Sequence, residues 1–348
     1  MGDHPIKAGY REDTDNGAIG GSAGSLEPLR ELAAALPTDL PGSVLVTMHV
    51  GEHARSRLPW LLSRAGPLPA AHARTGERLE RGRIYVAPPG CHLLVRGGVA
   101  ELSNGPRVNH TRPAVDVMFA SAARWFGDRV VAVVLSGLLD DGAVGAALVS
   151  QARGLVVVQD PDEAAQPSMP AAALAAAPGA LAVPGSKLGA TVSAMLGESG
   201  LVTWPRPPQP QGTEVSMDES SDLQFLSPGE TRLTRLACPE CGGALAETVL
   251  PRISYYRCHV GHQFAPQALA AAQADSAEAK LWAAVAALEE TAALARHLAT
   301  HTDPGEDGAD QHGKTADWAT NLAESVRTRV LAAPDLGSHS DPSTREQH

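Results

Sequence analysis

The chain is poor in several features that would each point to a particular class of protein. Positive charge is in deficit: 28 Lys and Arg stand against 39 Asp and Glu, so the formal net charge is -11. Such acidity argues against broad nucleic-acid binding, which needs a basic face. No apolar run approaches the roughly 20 residues of a membrane span, so direct membrane insertion is not expected. The N-terminus also lacks the basic and apolar regions of a secretory signal.

Cysteine is scarce, and its distribution is uneven. The 348 residues contain 4 cysteines, of which Cys91 stands alone and the other three lie between positions 238 and 258. A reduced protein with one metal site explains this clustering better than a disulfide framework does. The sequence therefore predicts a cytoplasmic location.

Residues 17–198 alternate short apolar runs with alanine- and leucine-rich helical stretches. The runs at 43–48, 84–87, 130–135 and 155–158 are continuous, which is typical of strands buried on both faces of a parallel sheet. The helical intervals indicate right-handed βαβ units, whereas the runs around Arg96 to Gly98 predict a hairpin. The predicted fold is a three-layer α/β/α domain with a mostly parallel, doubly wound sheet.

The rest of the chain divides into five segments. We expect a disordered N-terminus (1–16), a proline-rich linker (199–234), a small zinc module (235–266), one long amphipathic helix (267–301) and a disordered tail (302–348). The helix has apolar positions spaced by three or four at Leu281, Val285, Leu288, Ala292, Ala295 and Leu298. This face is predicted to pack on its own chain, or else on a partner protein or a second copy.

Residues 20–24 read Gly-Gly-Ser-Ala-Gly and precede a helix-like run from 26 to 36. This spacing suits a serine, Ser22, on a tight turn between a strand and a helix. The glycines let the backbone bend and let a substrate carbonyl approach backbone N–H groups. The alternative is a glycine-rich loop whose serine only caps the helix.

A serine nucleophile needs a base and a group that orients the base. His49 directly follows the predicted strand at 43–48, and Asp140 and Asp141 follow the strand at 130–135. Because the carboxyl ends of parallel strands share one edge of the sheet, these side chains are expected to meet Ser22 there. The pattern predicts a serine hydrolase, although the order Ser-His-Asp differs from that of α/β-hydrolases.

A family resemblance extends over residues 17–198. The segments 18–25, 46–50, 85–89, 112–116, 134–145 and 159–170 resemble, in the same order, the successive motifs of CheB-type protein-glutamate methylesterases, the enzymes of bacterial chemosensory adaptation. The resemblance implies hydrolysis of glutamyl methyl esters on methylated chemoreceptors, often with deamidation of receptor glutamines. It implies no cofactor for catalysis.

The resemblance also implies a role for each matching residue. Ser22 is the nucleophile, His49 the general base and acid, and Asp141 the carboxylate that orients His49. The backbone N–H of Leu138 helps to stabilise the oxyanion. Asp140 is the rival of Asp141, which we favour because the family carboxylate directly precedes a glycine. We expect His49 Nε2 to lie about 3 Å from Ser22 Oγ, with Asp141 on the other ring nitrogen.

The chain departs from the family in three places. Ser25 and Leu139 stand where the family usually has glycine, and leucine would be strained at 139 if that position needs a positive φ. Many relatives carry a phosphorylatable receiver domain ahead of the esterase, and only the short segment 1–16 stands there, so we expect a standalone form. A weakly active or inactive regulatory scaffold, binding partners through its zinc module and long helix, is the alternative function.

A cysteine motif follows the esterase-like region. Cys238, Cys241, Cys258 and His262 form the pattern C-x2-C-x16-C-x3-H. Two close ligand pairs separated by a loop allow tetrahedral coordination by three thiolates and one imidazole. Four protein ligands leave no open position, so the sequence predicts one structural zinc. His259 is an alternative fourth ligand with poorer geometry, and unliganded cysteines remain the other possibility.

Two residues near the motifs receive supporting roles. His92 is expected to neighbour the site without being catalytic, since the family often has histidine there. Arg112 either fixes its loop or contacts the substrate.

Overall fold

The structure is a computed structural model, and it describes residues 16–197, 230–301 and 307–332. These residues form two compact units that divide after Leu269. The strands are β1 (Asn16–Gly21), β2 (Val44–Met48), β3 (Ala70–His72), β4 (Glu77–Arg78), β5 (Ile84–Val86), β6 (His92–Arg96), β7 (Val99–Ser103), β8 (Val130–Val134), β9 (Leu155–Gln159), β10 (Leu181–Val183), β11 (Glu230–Ala237), β12 (Ala244–Val249), β13 (Ser254–Cys258) and β14 (Gln263–Phe264). The helices are α1 (Leu26–Ala35), α2 (Leu58–Ala65), α3 (Val115–Phe126), α4 (Ala143–Gln151), α5 (Ser168–Ala176), α6 (Gly185–Gly197), α7 (Pro266–His301) and α8 (Asp307–Ala332).

The first unit is built on a seven-stranded sheet in the order β10-β9-β8-β1-β2-β5-β3. Every pairing in this sheet is parallel. The four predicted strand runs are β2, β5, β8 and β9, and the predicted hairpin is the antiparallel pair of β6 and β7. The prediction of a mostly parallel, doubly wound α/β fold is therefore confirmed.

Helices cover both faces of this sheet. One buried cluster joins alternate strand residues to α3, α4 and α5, and a second joins the intervening strand residues to α1, α2 and α6. In β8, Val130 and Val134 belong to the first cluster, whereas Val131 and Val133 belong to the second. Burying an aliphatic side chain stabilises the folded state by about 1.5–3 kcal/mol. Because helices cover both faces of the sheet, apolar side chains are favoured on both faces of each strand. This is why the strand sequences show no alternation.

The predicted zinc module is a four-stranded antiparallel sheet in the order β11-β12-β13-β14. It belongs to the first unit, where Leu250, Tyr255 and Ala265 join the cluster that includes α3. The module begins earlier than the predicted boundary at 235, because residues 230–234 of the predicted linker (199–234) form part of β11. β11 lies at the sheet edge and Leu233 is 82% exposed, so its sequence lacks the apolar signal of a buried strand. Residues 199–229 lie outside the described residues.

The second unit consists of α7 beyond Leu269 and α8. The two helices run antiparallel: Arg296 Nη2 donates to Thr320 Oγ1 at 2.5 Å, and Arg327 pairs with Glu289. α7 is the helix predicted over 267–301. Of its predicted apolar face, Val285, Ala292 and Ala295 are buried within this unit, whereas Leu281 and Leu298 are exposed. The buried hydrophobic positions of the two helices in this unit are Ala272, Val285, Ala292 and Ala295 on α7 and Ala316, Ala319 and Ala323 on α8.

Two of the predicted disordered segments need correction. The tail predicted as disordered over 302–348 contains α8, whose buried face consists of alanines that carry little hydrophobic signal. The N-terminal segment predicted over 1–16 ends one residue earlier, because Asn16 begins β1 and is buried. Residues 1–15, 302–306 and 333–348 lie outside the described ranges. None of the helices in the described ranges combines the length and apolar character that crossing a bilayer requires.

Candidate active site

The predicted site lies at the carboxyl edge of the central sheet. β1 is the point where the strand order reverses, with β2 on one side and β8 on the other, and such a switch point opens a crevice. Backbone hydrogen bonds join the three strand ends: Ser22 N donates to Ser136 O at 2.9 Å, and His49 N donates to Gly21 O at 3.2 Å. The structure therefore brings Ser22, His49 and the loop that contains Asp141 to one edge, as the sequence predicts.

His49 contacts Asp141 and not Asp140. His49 Nε2 lies 2.6 Å from Asp141 Oδ2, and the imidazole is one-fifth exposed while the carboxylate is buried. The expectation that Nε2 faces Ser22 is wrong. The Asp141 carboxylate is held by backbone N–H groups at the start of α3. The imidazole reaches it with Nε2, the ring nitrogen that lies farther from the backbone of His49. Nδ1 is therefore the ring nitrogen that is not engaged by Asp141.

The Asp141 carboxylate is fully occupied by donors. Besides His49, Oδ2 accepts from Val115 N at 2.7 Å, and Oδ1 accepts from Asp116 N at 3.0 Å and from Asn109 Nδ2 at 2.7 Å. Val115 and Asp116 begin α3, so the carboxylate also sits at the positive end of a helix. Burial alone would raise the pKa of Asp141, but the His49 hydrogen bond and these backbone donors lower it. Asp141 is held as an anion.

Two further residues of this network, Asn109 and Asp116, were not predicted from the sequence. Asp116 is fully buried and accepts from Gly142 N at 3.0 Å, from Gly145 N at 2.7 Å and from Asn109 Nδ2 at 2.6 Å. Burial and the neighbouring Asp141 charge raise the pKa of Asp116 well above its ordinary value. Asp116 could have been recognised from the sequence, because a carboxylate inside the apolar run 114–120 indicates a buried polar group with a specific role. Asn109 lies in an irregular loop and offered no such signal.

The serine side of the site is sparsely bonded. Within the described parts of the chain, neither Ser22 Oγ nor His49 Nδ1 takes part in a hydrogen bond. Ser22 is partly exposed, and its carbonyl accepts from Ser25 N at 3.1 Å. Because His49 Nε2–H is directed to Asp141, Nδ1 carries the lone pair that a general base needs. Serine and histidine thus present unengaged reactive atoms.

The loop expected to form the oxyanion site connects β8 to α4. The Leu138 N–H donates to no group in the described structure, so it is available to a ligand. Position 137 requires glycine, because a Cβ there would lie 2.9 Å from Ser22 Cβ and 2.0 Å from Met169 Sδ. Leu139 has φ 62°, in the left-handed region that strains a leucine. A leucine costs about 1–2 kcal/mol there relative to glycine.

Ser25, the other departure from the family, acts on the serine turn. Its side chain is buried, and its Oγ donates to Ser22 O at 2.5 Å and lies 3.1 Å from Met48 Sδ. α1 begins after Ser25, and no side-chain hydrogen bond caps it. Ser25 is the N-cap residue of α1 by position, but neither Ser22 nor Ser25 caps the helix with its side chain, and the Ser25 hydroxyl instead fastens the turn that carries Ser22.

Arg112 holds its loop. Its guanidinium donates to Glu52 Oε1 at 2.5 Å, to Asn104 O at 3.0 Å and to Gly105 O at 2.8 Å. Hydrogen bonds from Arg107 and then Arg112 lower the pKa of Glu52. Of the two roles considered for Arg112, the structure favours fixing the loop.

His92 is buried behind the site. Its Nδ1 accepts from Ala114 N at 3.2 Å, and its Nε2 lies 3.1 Å from Pro106 O. Both contacts require the neutral ring with the proton on Nε2. Burial lowers the pKa of His92 to about 4, so the ring stays neutral. His92 positions the chain just before α3 and does not contact Ser22, His49 or Asp141.

The predicted metal ligands form one cluster. The Sγ atoms of Cys238, Cys241 and Cys258 and a ring nitrogen of His262 all lie within 4.8 Å of one another. Three of the pairs are Cys258 Sγ to His262 Nδ1 at 3.6 Å, Cys241 Sγ to Cys258 Sγ at 3.7 Å, and Cys238 Sγ to His262 Nδ1 at 3.8 Å. A tetrahedron with zinc–ligand distances of about 2.1–2.3 Å has edges of about 3.6–3.8 Å. The donor set therefore fits a zinc ion.

Two tight turns hold these ligand pairs. Gly242 N donates to Cys238 O at 2.8 Å in the first turn, and Gly261 N donates to Cys258 O at 3.0 Å in the second. His259, the alternative fourth ligand, is exposed and lies against Gly243, outside the cluster. Of the two candidate histidines, the structure places His262 with the thiols.

Comparison with known proteins shows what the chain is similar to. The family profile described as CheB methylesterase matches residues 17–192. A relative from Leptospira interrogans is 35% identical over 161 residues, which are 45% of this chain and 82% of the relative. Protein-glutamate methylesterase/protein-glutamine glutaminase 2 from Anaeromyxobacter dehalogenans is 37% identical over 142 residues, 41% of this chain and 42% of that protein. The crystal structure of the Thermotoga maritima CheB methylesterase catalytic domain is 26% identical with a TM-score of 0.49, covering 52% of this chain and 98% of that one.

Proposed function

Because the chain belongs to the CheB methylesterase family, we propose that it is a serine hydrolase that demethylates glutamyl methyl esters on chemoreceptor-like proteins in a chemotaxis-like signalling system. The observation that carries the proposal is the 2.6 Å hydrogen bond between His49 Nε2 and Asp141 Oδ2, at the sheet edge where β1 delivers Ser22. Relatives are named for both methylesterase and glutaminase activity, so deamidation of glutamines is part of the proposal.

In the proposed reaction Ser22 Oγ attacks the ester carbonyl while His49 Nδ1 takes the hydroxyl proton. Negative charge develops on the carbonyl oxygen, where the Leu138 N–H donates a hydrogen bond. Collapse of the tetrahedral intermediate releases methanol, which takes the proton from His49 and leaves a glutamyl ester on Ser22. Water then adds by the same route, with His49 accepting its proton and returning it to Ser22 as the glutamate leaves.

Asp141 assists this proton transfer by fixing the orientation and the tautomer of the His49 imidazole. Its contact to Nε2 keeps the proton on that nitrogen and the lone pair on Nδ1. When Nδ1 is protonated, the buried carboxylate faces the resulting imidazolium and stabilises it. A glutamine substrate would form the same acyl-enzyme with ammonia as the leaving group.

The test is methanol release from a methylated chemoreceptor by the wild type and by Ser22→Ala. We expect a loss of at least about 10³-fold in the variant, because only binding and oxyanion stabilisation remain. Ser186→Ala, a serine at the start of α6, is the matched control and should leave the rate unchanged. Equal release by wild type and Ser22→Ala would remove Ser22 as the nucleophile.

A regulatory scaffold with weak activity is the second candidate. The positive φ of Leu139, beside the expected oxyanion donor, favours it, because a strained loop there can misplace the Leu138 N–H. Release of methanol by neither wild type nor variant, from a receptor that a known methylesterase demethylates, would support the scaffold.

We further propose that Cys238, Cys241, Cys258 and His262 hold one zinc ion per chain. With four protein ligands the ion would be structural and would supply no catalytic chemistry. Metal analysis should find one zinc per wild-type chain and none after Cys258→Ser, whereas Cys91→Ser, outside the cluster, should keep it. A cytoplasmic location is part of the proposal, because a reducing compartment keeps these thiols free for metal binding.

A further inference from the structure

The segment 106–110 lies between the catalytic carboxylate and the cysteine module. Val108 forms a β-bridge with Gln263 at the start of β14, and Gln263 N donates to Arg107 O at 3.3 Å. His110 Nδ1 lies 2.6 Å from Glu240 Oε1, in the turn that carries the first ligand pair. The module is thus fastened to this segment by backbone pairing and by an ionisable contact.

Asn109 is the residue of this segment that touches both sides. On the module side, its N–H donates to Gln263 O at 2.7 Å, and its Oδ1 accepts from Ala265 N at 2.7 Å. On the catalytic side, its Nδ2 donates to Asp116 Oδ2 at 2.6 Å and to Asp141 Oδ1 at 2.7 Å. Both protons of the amide and its oxygen are used, and the residue is 6% exposed.

The module side sets the orientation of this amide. An asparagine side chain can flip its oxygen and nitrogen, and only one orientation directs the NH2 group to the carboxylates. The Ala265 N–H is a donor, so it selects the orientation with Oδ1 toward the module. The neighbouring residue Asp140 is held from the same direction, since its two oxygens accept from Gln267 N at 2.7 Å and from Ala268 N at 2.9 Å.

Taking Ser22, His49 and Asp141 as the catalytic groups of the proposed function, we propose that Asn109 is a positioning residue for Asp141, held in its working orientation by the Ala265 N–H of the C-terminal module. The module is then part of the active site, although none of its atoms touches the reacting groups. Asn109 fixes the carboxylate that fixes His49, and it also spreads the negative charge of Asp141.

The proposal predicts a direction for the pH profile. Removing the Asn109 donor leaves more negative charge on Asp141, which favours protonated His49. The acid limb of the kcat/KM profile should therefore move to higher pH. The titratable groups that face Asp141 are His49 after β2, His92 on β6, Asp116 on α3 and its neighbour Asp140. None of these is altered by the variants below.

The first variant is Asn109→Gly in the full chain. Glycine accepts the φ of 52° at this position, so backbone strain is not added. We expect kcat/KM to fall about 10- to 100-fold, mainly in kcat, with the acid limb shifted upward. Asn104→Gly is the matched control: it makes the same change in the neighbouring loop, where Asn104 Oδ1 accepts from Cys91 Sγ at 3.1 Å, and it should keep the wild-type profile.

The second variant, Ala265→Pro, removes the module's N–H and places a proline ring against Asn109 Oδ1 at a fully buried position. Phe264 before it is in a strand, the conformation that proline prefers in its predecessor, and α7 begins at the next residue. We expect a smaller loss of about 3- to 10-fold with the same upward shift. Arg252→Pro is its control, since Arg252 lies in the turn between β12 and β13 and its N–H donates to no described group.

A second readout does not depend on turnover. The proton between His49 Nε2 and Asp141 should give a low-field NMR resonance that disappears in Asp141→Asn. The proposal expects it to weaken or shift in Asn109→Gly and Ala265→Pro but not in the controls. If the wild type releases no methanol and this pattern still holds, the proposed function fails and the positioning role stands. If the wild type is active and both variants keep its resonance and its acid limb, the positioning role is overturned and the proposed function stands.

Discussion

The two sides of the catalytic edge differ in how completely their polar groups are bonded. Asp141 accepts four hydrogen bonds, from His49, Asn109 and the first two residues of α3. On the other side, Ser22 Oγ and the Leu138 N–H have no partner in the described parts of the chain. A group that only orients others gains from being saturated. A group that must bond to substrate is more reactive when no internal bond has to break first.

Both sides carry a residue in the left-handed region: Asn109 at φ 52° beside the carboxylate and Leu139 at φ 62° beside Leu138. Asparagine adopts this conformation more readily than leucine does, so the backbone strain lies mainly on the serine side, whose turn is tied by Ser25. A strained backbone conformation persists only where the surrounding structure enforces it. The comparison therefore predicts large functional losses from changes on the saturated side and small stability changes on the sparse side.

The largest effect is expected from Asp141→Asn. The amide of asparagine would present an N–H to His49 Nε2, which drives the ring proton to Nδ1 and removes the lone pair that the proposed mechanism needs there. We expect kcat/KM for methyl ester hydrolysis to fall about 10⁴-fold with the fold intact. Asp140→Asn is the matched control, since one oxygen can still accept from α7, and it should lose less than about tenfold. Comparable losses in the two variants would contradict the assignment of the orienting carboxylate.

An intermediate effect is expected at His92, which supports the saturated side from behind. Its pKa falls from 6.5 to about 4 on folding, so the unfolded chain binds more protons between these values. The free energy of unfolding should therefore decrease as pH falls from 6.5 to 4, by about 3 kcal/mol from this group. His92→Gln keeps one acceptor and one donor without titrating. Urea unfolding at pH 7 and pH 4.5 should show the wild type losing more stability than the variant, and parallel losses would refute the prediction.

The smallest effect is expected from Leu139→Gly on the sparse side. Glycine relieves about 1–2 kcal/mol of left-handed strain, and its greater freedom in the unfolded chain offsets about 0.5–1 kcal/mol of that gain. The free energy of unfolding should rise by up to about 1 kcal/mol, as measured by denaturant titration. Leu138→Gly, at the neighbouring residue without positive φ, should instead be neutral or destabilising. Equal stabilisation by both changes would show that the strain at 139 is not the cause.

The sequence predicted the central sheet well and the site in part. The strands β2, β5, β8 and β9 were readable because burial on both faces demands continuous apolar runs. The convergence of Ser22, His49 and Asp141 followed from strand polarity alone. The ring nitrogen that meets Asp141 could not be read, because it depends on where α3 anchors the carboxylate.

Asn109 and α8 were missed for different physical reasons. Asn109 obtains its role from Asp141, 32 positions away, and from Ala265, 156 positions away, and no local pattern records such pairings. α8 buries alanines, including Ala316 and Ala319, in an otherwise polar segment. Helix formation there relies on close approach of two backbones, which hydropathy does not measure.

The separation of Asn109 and Ala265 along the chain affects the order in which their hydrogen bond can form during synthesis. A ribosome adds roughly 5–20 residues per second, so the roughly 70 residues between the end of α6 and the start of α7 emerge over several seconds to about a quarter of a minute. During that interval all seven strands of the central sheet have been synthesised, while Asn109 Oδ1 and both oxygens of Asp140 still lack their final donors. The carboxylate network of a newly made chain would therefore stay incomplete until these few backbone N–H groups are added.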